Sequence, residues 1–163
     1  MGLSLEDADT LRMLAASSGA RRIVEVLTAS APQANASSVA LSEALRQTGG
    51  TLTTIVPASE LAHAIRAQLQ EAGFLEPTQF LTGDPLKRLA GLRGPVDLLY
   101  LAGEIDYVKA LHAAMPSLRP GSLVVARRAR HEEAFLETVI ENPAFETTLL
   151  EHGSGMSVSL LKS

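Results

Sequence analysis

Strand-like and helix-like segments alternate along almost the whole chain, and that alternation leaves few architectures open. A strand that returns parallel to its neighbour needs a long crossover, and a helix is the usual one. Residues 22–27 read as a short buried strand. Residues 51–56 are β-branched and alternating, a second strand closed by Pro57. A third covers 78–82, and 96–101 is a near-continuous apolar run, as a central parallel strand requires. Pro120-Gly121 introduces a fifth strand over 122–126. Helices fall between them: 39–47 after a small-residue loop over 28–38 and ended by Gly49-Gly50, then Leu61, Ile65 and Leu69 at helical spacing before Gly73. Further helices begin at Gly83-Asp84-Pro85, carry Val108, Leu111 and Met115, and cover 131–141 before Pro143. Ser4 and Asp7 resemble a capping box for an opening helix over 4–18, with Leu11, Leu14, Ala15 and Ser18 inward and Gly19 as its stop. The tail breaks the rhythm: strand patterns over 145–150 and 156–161 flank His152-Gly153-Ser154-Gly155, a hairpin. The reading is one α/β domain over 1–163: a leading helix (1–20), βα units (21–142) and a terminal hairpin (143–163).

Composition narrows the function. A 46% hydrophobic and 20% charged chain of 163 residues can bury a core unaided. The absence of Cys excludes disulfides, thiolate metal sites and Cys nucleophiles. The net charge of −4 argues against a general nucleic-acid binder. No apolar run approaches the roughly 18 residues of a membrane span. Met1–Asp7 lacks the basic flank and apolar stretch of a secretory signal, so a cytoplasmic location is expected.

Several local strings carry a resemblance. They are Gly49-Gly50-Thr51-Leu52-Thr53-Thr54-Ile55, Gly83-Asp84-Pro85-Leu86, Leu118 through Ala126, Glu146 through Leu150, and Gly155 through Ser159. Together with the outline they resemble the class I S-adenosylmethionine-dependent methyltransferases, in their small-molecule O-methyltransferase branch. Ile23-Val24-Glu25, the Ser37-Ser38 helix start and Thr48-Gly49-Gly50 with Ile55-Val56-Pro57 also resemble a plant family of uncharacterised methyltransferase-like proteins. The resemblance covers nearly everything from Arg21 to Ser163. It implies a Rossmann-like, mostly parallel seven-stranded sheet with helices on both faces and a C-terminal antiparallel hairpin.

It also implies where a cofactor would lie, and there the chain departs from the pattern. S-adenosylmethionine or S-adenosylhomocysteine would sit against Glu25, Leu27, Thr28, Ala29 and Ser30, against Val56 and Pro57, against Gly83, Asp84 and Pro85, and beside Ala102. Glu25 matches the acidic residue of the family's first motif, but Leu27, Ala29 and Ala31 replace its glycines and bring Cβ atoms into the cofactor's space. The carboxylate that accepts the ribose hydroxyls at the end of strand two is missing: Val56-Pro57-Ala58 stands there, with Glu60 already in the helix. Loss of that acceptor weakens binding by about 1–3 kcal/mol. Metal-dependent members hold a divalent ion with carboxylates after strands four and five. Their positions fall on Ala102 and on Arg127 with Arg128, and the family's basic lysine falls on Ile105. No metal is expected, since hard cations need oxygen ligands.

The singled-out residues each carry two readings. Arg127, Arg128 and Arg130 follow a strand at its carboxyl end, where open α/β sheets bind ligands, and form an anion-site candidate; a solvated turn paired with Glu132, Glu133 or a neighbouring loop is the other reading. His131 is the general-base candidate by location. His63 and His112 lie on helices, facing water or a satisfied edge. Glu104 and Asp106 would orient a hydroxyl or merely begin a helix, and Asp84 would lie near adenine or cap one. Tyr100 reads as core. Glu25 would otherwise tie down a neighbouring backbone amide. Two functions stay open: an S-adenosylmethionine-dependent O-methyltransferase whose metal apparatus is lost, and a non-catalytic scaffold or anion-binding module that keeps only the fold. A dinucleotide oxidoreductase ranks third, lacking GxGxxG. The partner expected is a small, anionic molecule; a homodimer is left open.

Overall fold

The computed structural model describes residues 5–28, 36–74 and 78–162. Its elements follow the alternation: α1 (Leu5–Ser17), β1 (Arg22–Leu27), α2 (Ala36–Thr48), β2 (Thr51–Val56), α3 (Ser59–Glu71), β3 (Thr78–Thr82), α4 (Pro85–Ala90), β4 (Val96–Ala102), α5 (Tyr107–Ala114), β5 (Leu118–Ala126), α6 (Glu133–Glu141), β6 (Phe145–Leu149) and β7 (Ser157–Leu161). They build one seven-stranded sheet in the order β3-β2-β1-β4-β5-β7-β6. β1 to β5 pair in parallel, and β7 runs antiparallel to both β5 and β6. The expected mostly parallel sheet with a terminal antiparallel hairpin is what the chain forms.

Helices cover both faces. Leu11 and Ala15 of α1, Leu41 and Leu45 of α2, and Ile65 and Leu69 of α3 pack on Ile23, Leu52, Leu98 and Tyr100. On the other face Leu89 of α4, Tyr107 and Leu111 of α5, and Phe135 and Val139 of α6 pack on Val24, Ile55, Leu99 and Val124. Strands contribute to both layers because successive side chains alternate across the sheet. No helix among the described residues is long and apolar enough to cross a membrane.

The differences from the sequence reading are local and have physical reasons. Ser18 is exposed, because α1 ends one residue before it. Asp7 is buried, and its Oδ1 accepts the Ser154 N–H at 3.2 Å, a contact 147 residues distant; Ser4, its expected capping partner, lies outside the described residues. Ala62 rather than Leu61 completes the buried face of α3. β5 begins at Leu118, four residues early, because Ser122 bridges the irregular start: its hydroxyl donates to the Val96 carbonyl at 2.6 Å and accepts the Arg119 N–H at 3.0 Å. The helix expected over 131–141 opens as a 3-10 turn at Ala129–His131, and α6 proper begins at Glu133.

At the amino edge Asp97 ties three chain segments. Its carboxylate accepts the backbone N–H groups of Arg21 (2.9 Å) and Arg22 (3.0 Å) and the Arg119 guanidinium (2.7 Å). Partial burial pushes its pKa up, but those donors together outweigh it and hold the carboxyl below its usual range.

Candidate functional site

The sheet order reverses between β1 and β4, and in open α/β sheets ligands bind at such a switch point, beyond the carboxyl ends of the strands. Leu27 ends β1 directly beside Ala102, which ends β4. Both are buried. Beyond them Thr28 and Glu104 join the two loops, the Glu104 N–H donating to Thr28 Oγ1. Gly103 makes that approach with φ of +101°, a conformation favouring glycine. On the β2 side the buried Val56 closes its strand, and its carbonyl accepts the Gly83 N–H at 3.1 Å. Pro57 and Glu60 are exposed. Asp84 caps α4, its Oδ1 accepting the Leu86 N–H at 3.0 Å, with Pro85 in the first turn. Ala29 and Ser30 lie outside the described residues.

Glu25 is the acidic residue expected near the cofactor, and it points into the protein. It is fully buried, and its partners are hydroxyls rather than the backbone amide that one reading expected. Ser37 donates to Oε2 at 2.8 Å; Thr54 (2.8 Å) and Ser38 donate to Oε1. Burial pushes its pKa up, and the three hydroxyls offset only part of that rise. The carboxylate fastens the first turn of α2 to β1 and β2, setting where the β1–α2 connection returns to the sheet. Ser37, Ser38 and Thr54 were missed as partners. The adjacent serines at a helix start, twelve residues after a strand acid, are the signal that could have found them.

The basic stretch after β5 spreads over several partners. The Arg127 N–H continues the ladder to the Leu101 carbonyl at 2.9 Å, and its own carbonyl accepts the Tyr107 hydroxyl at 3.0 Å. Arg128 adopts a left-handed backbone (φ 56°), and its N–H donates to Ser154 Oγ at 3.3 Å. The Arg130 guanidinium donates to the Glu151 carbonyl at 3.2 Å. Arg128 and Arg130 thus hold the turn between β6 and β7. His131 is exposed and lines a cleft of about 330 Å³ between the N-termini of α5 and α6, with Asp106, Tyr107, Glu132 and Glu133. Asp106 caps α5 by accepting the N–H groups of Val108 (3.0 Å) and Lys109 (3.1 Å). His63 and His112 are exposed, as expected.

Tyr100 is core, as read, but its environment is polar in part. Burial raises its pKa well above the usual phenol value, and the charges acting on it include Arg127 and Asp7. At the ends of β4 and β5, Ala102 carries no side-chain oxygen and Arg127 carries a positive charge. Among the described residues no three His, Asp or Glu side chains stand together as a metal site.

No protein-family model and no curated protein matches the sequence. Solved structures match the fold closely. A cofactor-bound structure of Rv0187 from MTB superposes with a TM-score of 0.86 at 21% identity, over 100% of this chain and 83% of that one. The O-methyltransferase from Bacillus cereus in complex with SAH gives 0.84 at 19%, over 98% and 82%. The O-methyltransferase TomG from Streptomyces achromogenes, in complex with SAM, gives 0.84 at 21%, over 99% and 82%. The likeness is one of fold: the Rossmann-like sheet of the class I methyltransferases.

Proposed function

We propose that this chain binds S-adenosylmethionine or S-adenosylhomocysteine at the switch point between β1 and β4, and methylates a small-molecule hydroxyl without a divalent metal. The observation that carries the reading is the seating of the first turn of α2 against β1 and β2. The buried Glu25, held by Ser37, Ser38 and Thr54, anchors the first turn of α2 at the carboxyl edge beside the Thr28–Glu104 junction. Structures sharing this fold include O-methyltransferases holding SAM or SAH, which favours the same class of ligand here.

Thr28 and the Gly83–Pro85 loop would border the ligand, and Ala102 would face it with a methyl. When bound, S-adenosylmethionine supplies an electrophilic methyl group. The chain's contribution is then to hold an acceptor oxygen in line with it, so that transfer relies on proximity and orientation. His131, exposed on the cleft between the N-termini of α5 and α6, is the group placed to take the acceptor's proton. The missing strand-two carboxylate leaves the ribose hydroxyls with one acceptor fewer, weakening affinity by about 1–3 kcal/mol.

That same absence favours a second reading, a scaffold or anion-binding module that keeps the fold alone. Calorimetric titration with S-adenosylmethionine and S-adenosylhomocysteine, with and without magnesium, separates the two. Saturable heat indifferent to magnesium is expected. No heat and no thermal stabilisation at millimolar ligand would overturn the cofactor reading and leave the scaffold. Binding that requires magnesium would overturn the metal-free part.

A further inference from the structure

The terminal hairpin leaves part of one sheet face uncovered. Glu146 pairs with Leu160 and Thr148 with Val158, so these four side chains share one face of β6 and β7. Between that face and α1 lies an open groove of about 350 Å³, into which Met13 and Leu14 of the helix and Leu150 beyond β6 also project. The volume falls within the range of small-molecule pockets, about 300–1,000 Å³. β7 is an interior strand, hydrogen-bonded to β5 and β6, yet Val158 and Leu160 are only half-buried, whereas Ser157, Ser159 and Leu161 on its opposite face are buried. Met13 is 60% exposed at the rim. An apolar strip normally packs against another layer, so one left open inside a concave groove marks a binding surface. The groove is polar at its ends. Glu146 is exposed and makes no ion pair among the described residues. Leu150 lies about 13 Å from it along the strand direction. Past Leu150, His152 already faces Glu6, Nδ1 to Oε2 at 3.5 Å.

We propose that this groove binds a small cationic amphiphile, with an apolar chain over Val158 and Leu160 and an ammonium group at Glu146. The apolar strip supplies the affinity and the carboxylate selects the charge. The one lining group able to carry positive charge, His152, stands at the far end. Met13, unbranched and flexible, adapts its packing to the chain. An exposed carboxylate gains little from a cation in water, so the preference for an amine over the uncharged alcohol is about two- to fivefold. An anionic head would instead meet Glu146 as a like charge. The groove lies on β7 and β6, separated by β5 from the switch point between β1 and β4, and does not depend on the cofactor reading.

The test follows the methyl signals of Met13, Val158 and Leu160 by nuclear magnetic resonance while n-octylamine, n-octanol and octanoate are titrated into the full chain. The amine should shift all three signals saturably and bind about two- to fivefold more tightly than the alcohol, with octanoate weakest. Glu146→Gln should bring the amine down to the affinity of the alcohol, and Glu6→Gln should change it less. Thr148→Trp, at an exposed strand position, should fill the groove and abolish the shifts. Glu146→Gln alters a single exposed group, so it keeps the test sound should Thr148→Trp fail to fold. No saturable shift with the amine, octanoate binding as tightly as the amine, or unchanged amine affinity in Glu146→Gln would overturn the proposal. Self-association in the analytical ultracentrifuge that shifts the same methyl signals without any amine would give the groove to a second copy and overturn it as well.

Discussion

The Glu25 cluster makes the sharpest energetic statement in the molecule. Replacing Glu25 by Leu keeps an apolar volume of similar size but removes the acceptor for three buried hydroxyls. Each orphaned hydroxyl costs about 1–3 kcal/mol. Ser37 and Ser38 lie in the first turn of α2, where side chains can turn to nearby backbone groups, so their share is reduced. Thr54 is fully buried in the central part of β2 and keeps its penalty. The expected loss for Glu25→Leu is about 2–5 kcal/mol, a large part of the ordinary stability of a domain. Glu25→Gln should differ. Its carbonyl oxygen can accept from Thr54 and Ser38 while its amide donates to a rotated Ser37 hydroxyl, so the network stays satisfied. The pH dependence follows from the raised pKa. A carboxyl whose folded pKa lies above its unfolded value stabilises most below the unfolded value, near 4.3, and loses that contribution as pH rises through the folded pKa. The wild type should therefore lose stability over that rise, and Glu25→Gln should lack this decline. Urea denaturation followed by far-ultraviolet circular dichroism from pH 4 to 8 measures both, and suits a chain without Trp. A Leu variant as stable as wild type, or a Gln variant as damaged as Leu, would refute the reasoning.

Two further expectations concern the opposite edge of the sheet. Asp97→Asn should cost about 1.5–3 kcal/mol at neutral pH, since charge-assisted bonds to Arg21, Arg22 and Arg119 become neutral ones. Because the folded pKa of Asp97 is lowered, its contribution is present above the unfolded value of about 3.9 and is lost as pH falls through the folded one. Acid titrations of stability should show the variant losing less than wild type below about pH 4. Gly50→Ala should destabilise by about 1–3 kcal/mol or more, visible in the urea midpoint, since its Cβ would lie 1.8 Å from the Arg21 carbonyl oxygen, a backbone atom that cannot swing aside.

What was legible in the sequence was whatever depends on local pattern. β1, β2 and β3 begin and end where alternation, β-branching and Pro or Gly punctuation place them, and the hairpin follows from a Gly-rich turn between two strand patterns. Which residues stand at the carboxyl ends of the strands, Leu27, Val56, Ala102 and Arg127, was equally plain, because residue identity is read directly. Tertiary structure decided which polar groups meet. Glu25 finds hydroxyls 12, 13 and 29 residues away, Asp7 reaches Ser154, and Arg130 turns to Glu151. Apart from the paired serines at the start of α2, none of these carries a signal in spacing, because the partners lie on separate elements that only the tertiary fold brings together. The Tyr100 hydroxyl, without a hydrogen-bond partner among the described residues, is of the same kind. A sequence can show that a phenol is apolar enough for the core, but whether its one polar atom finds a partner there depends on the packing of α1, β4, β5 and the tail around it.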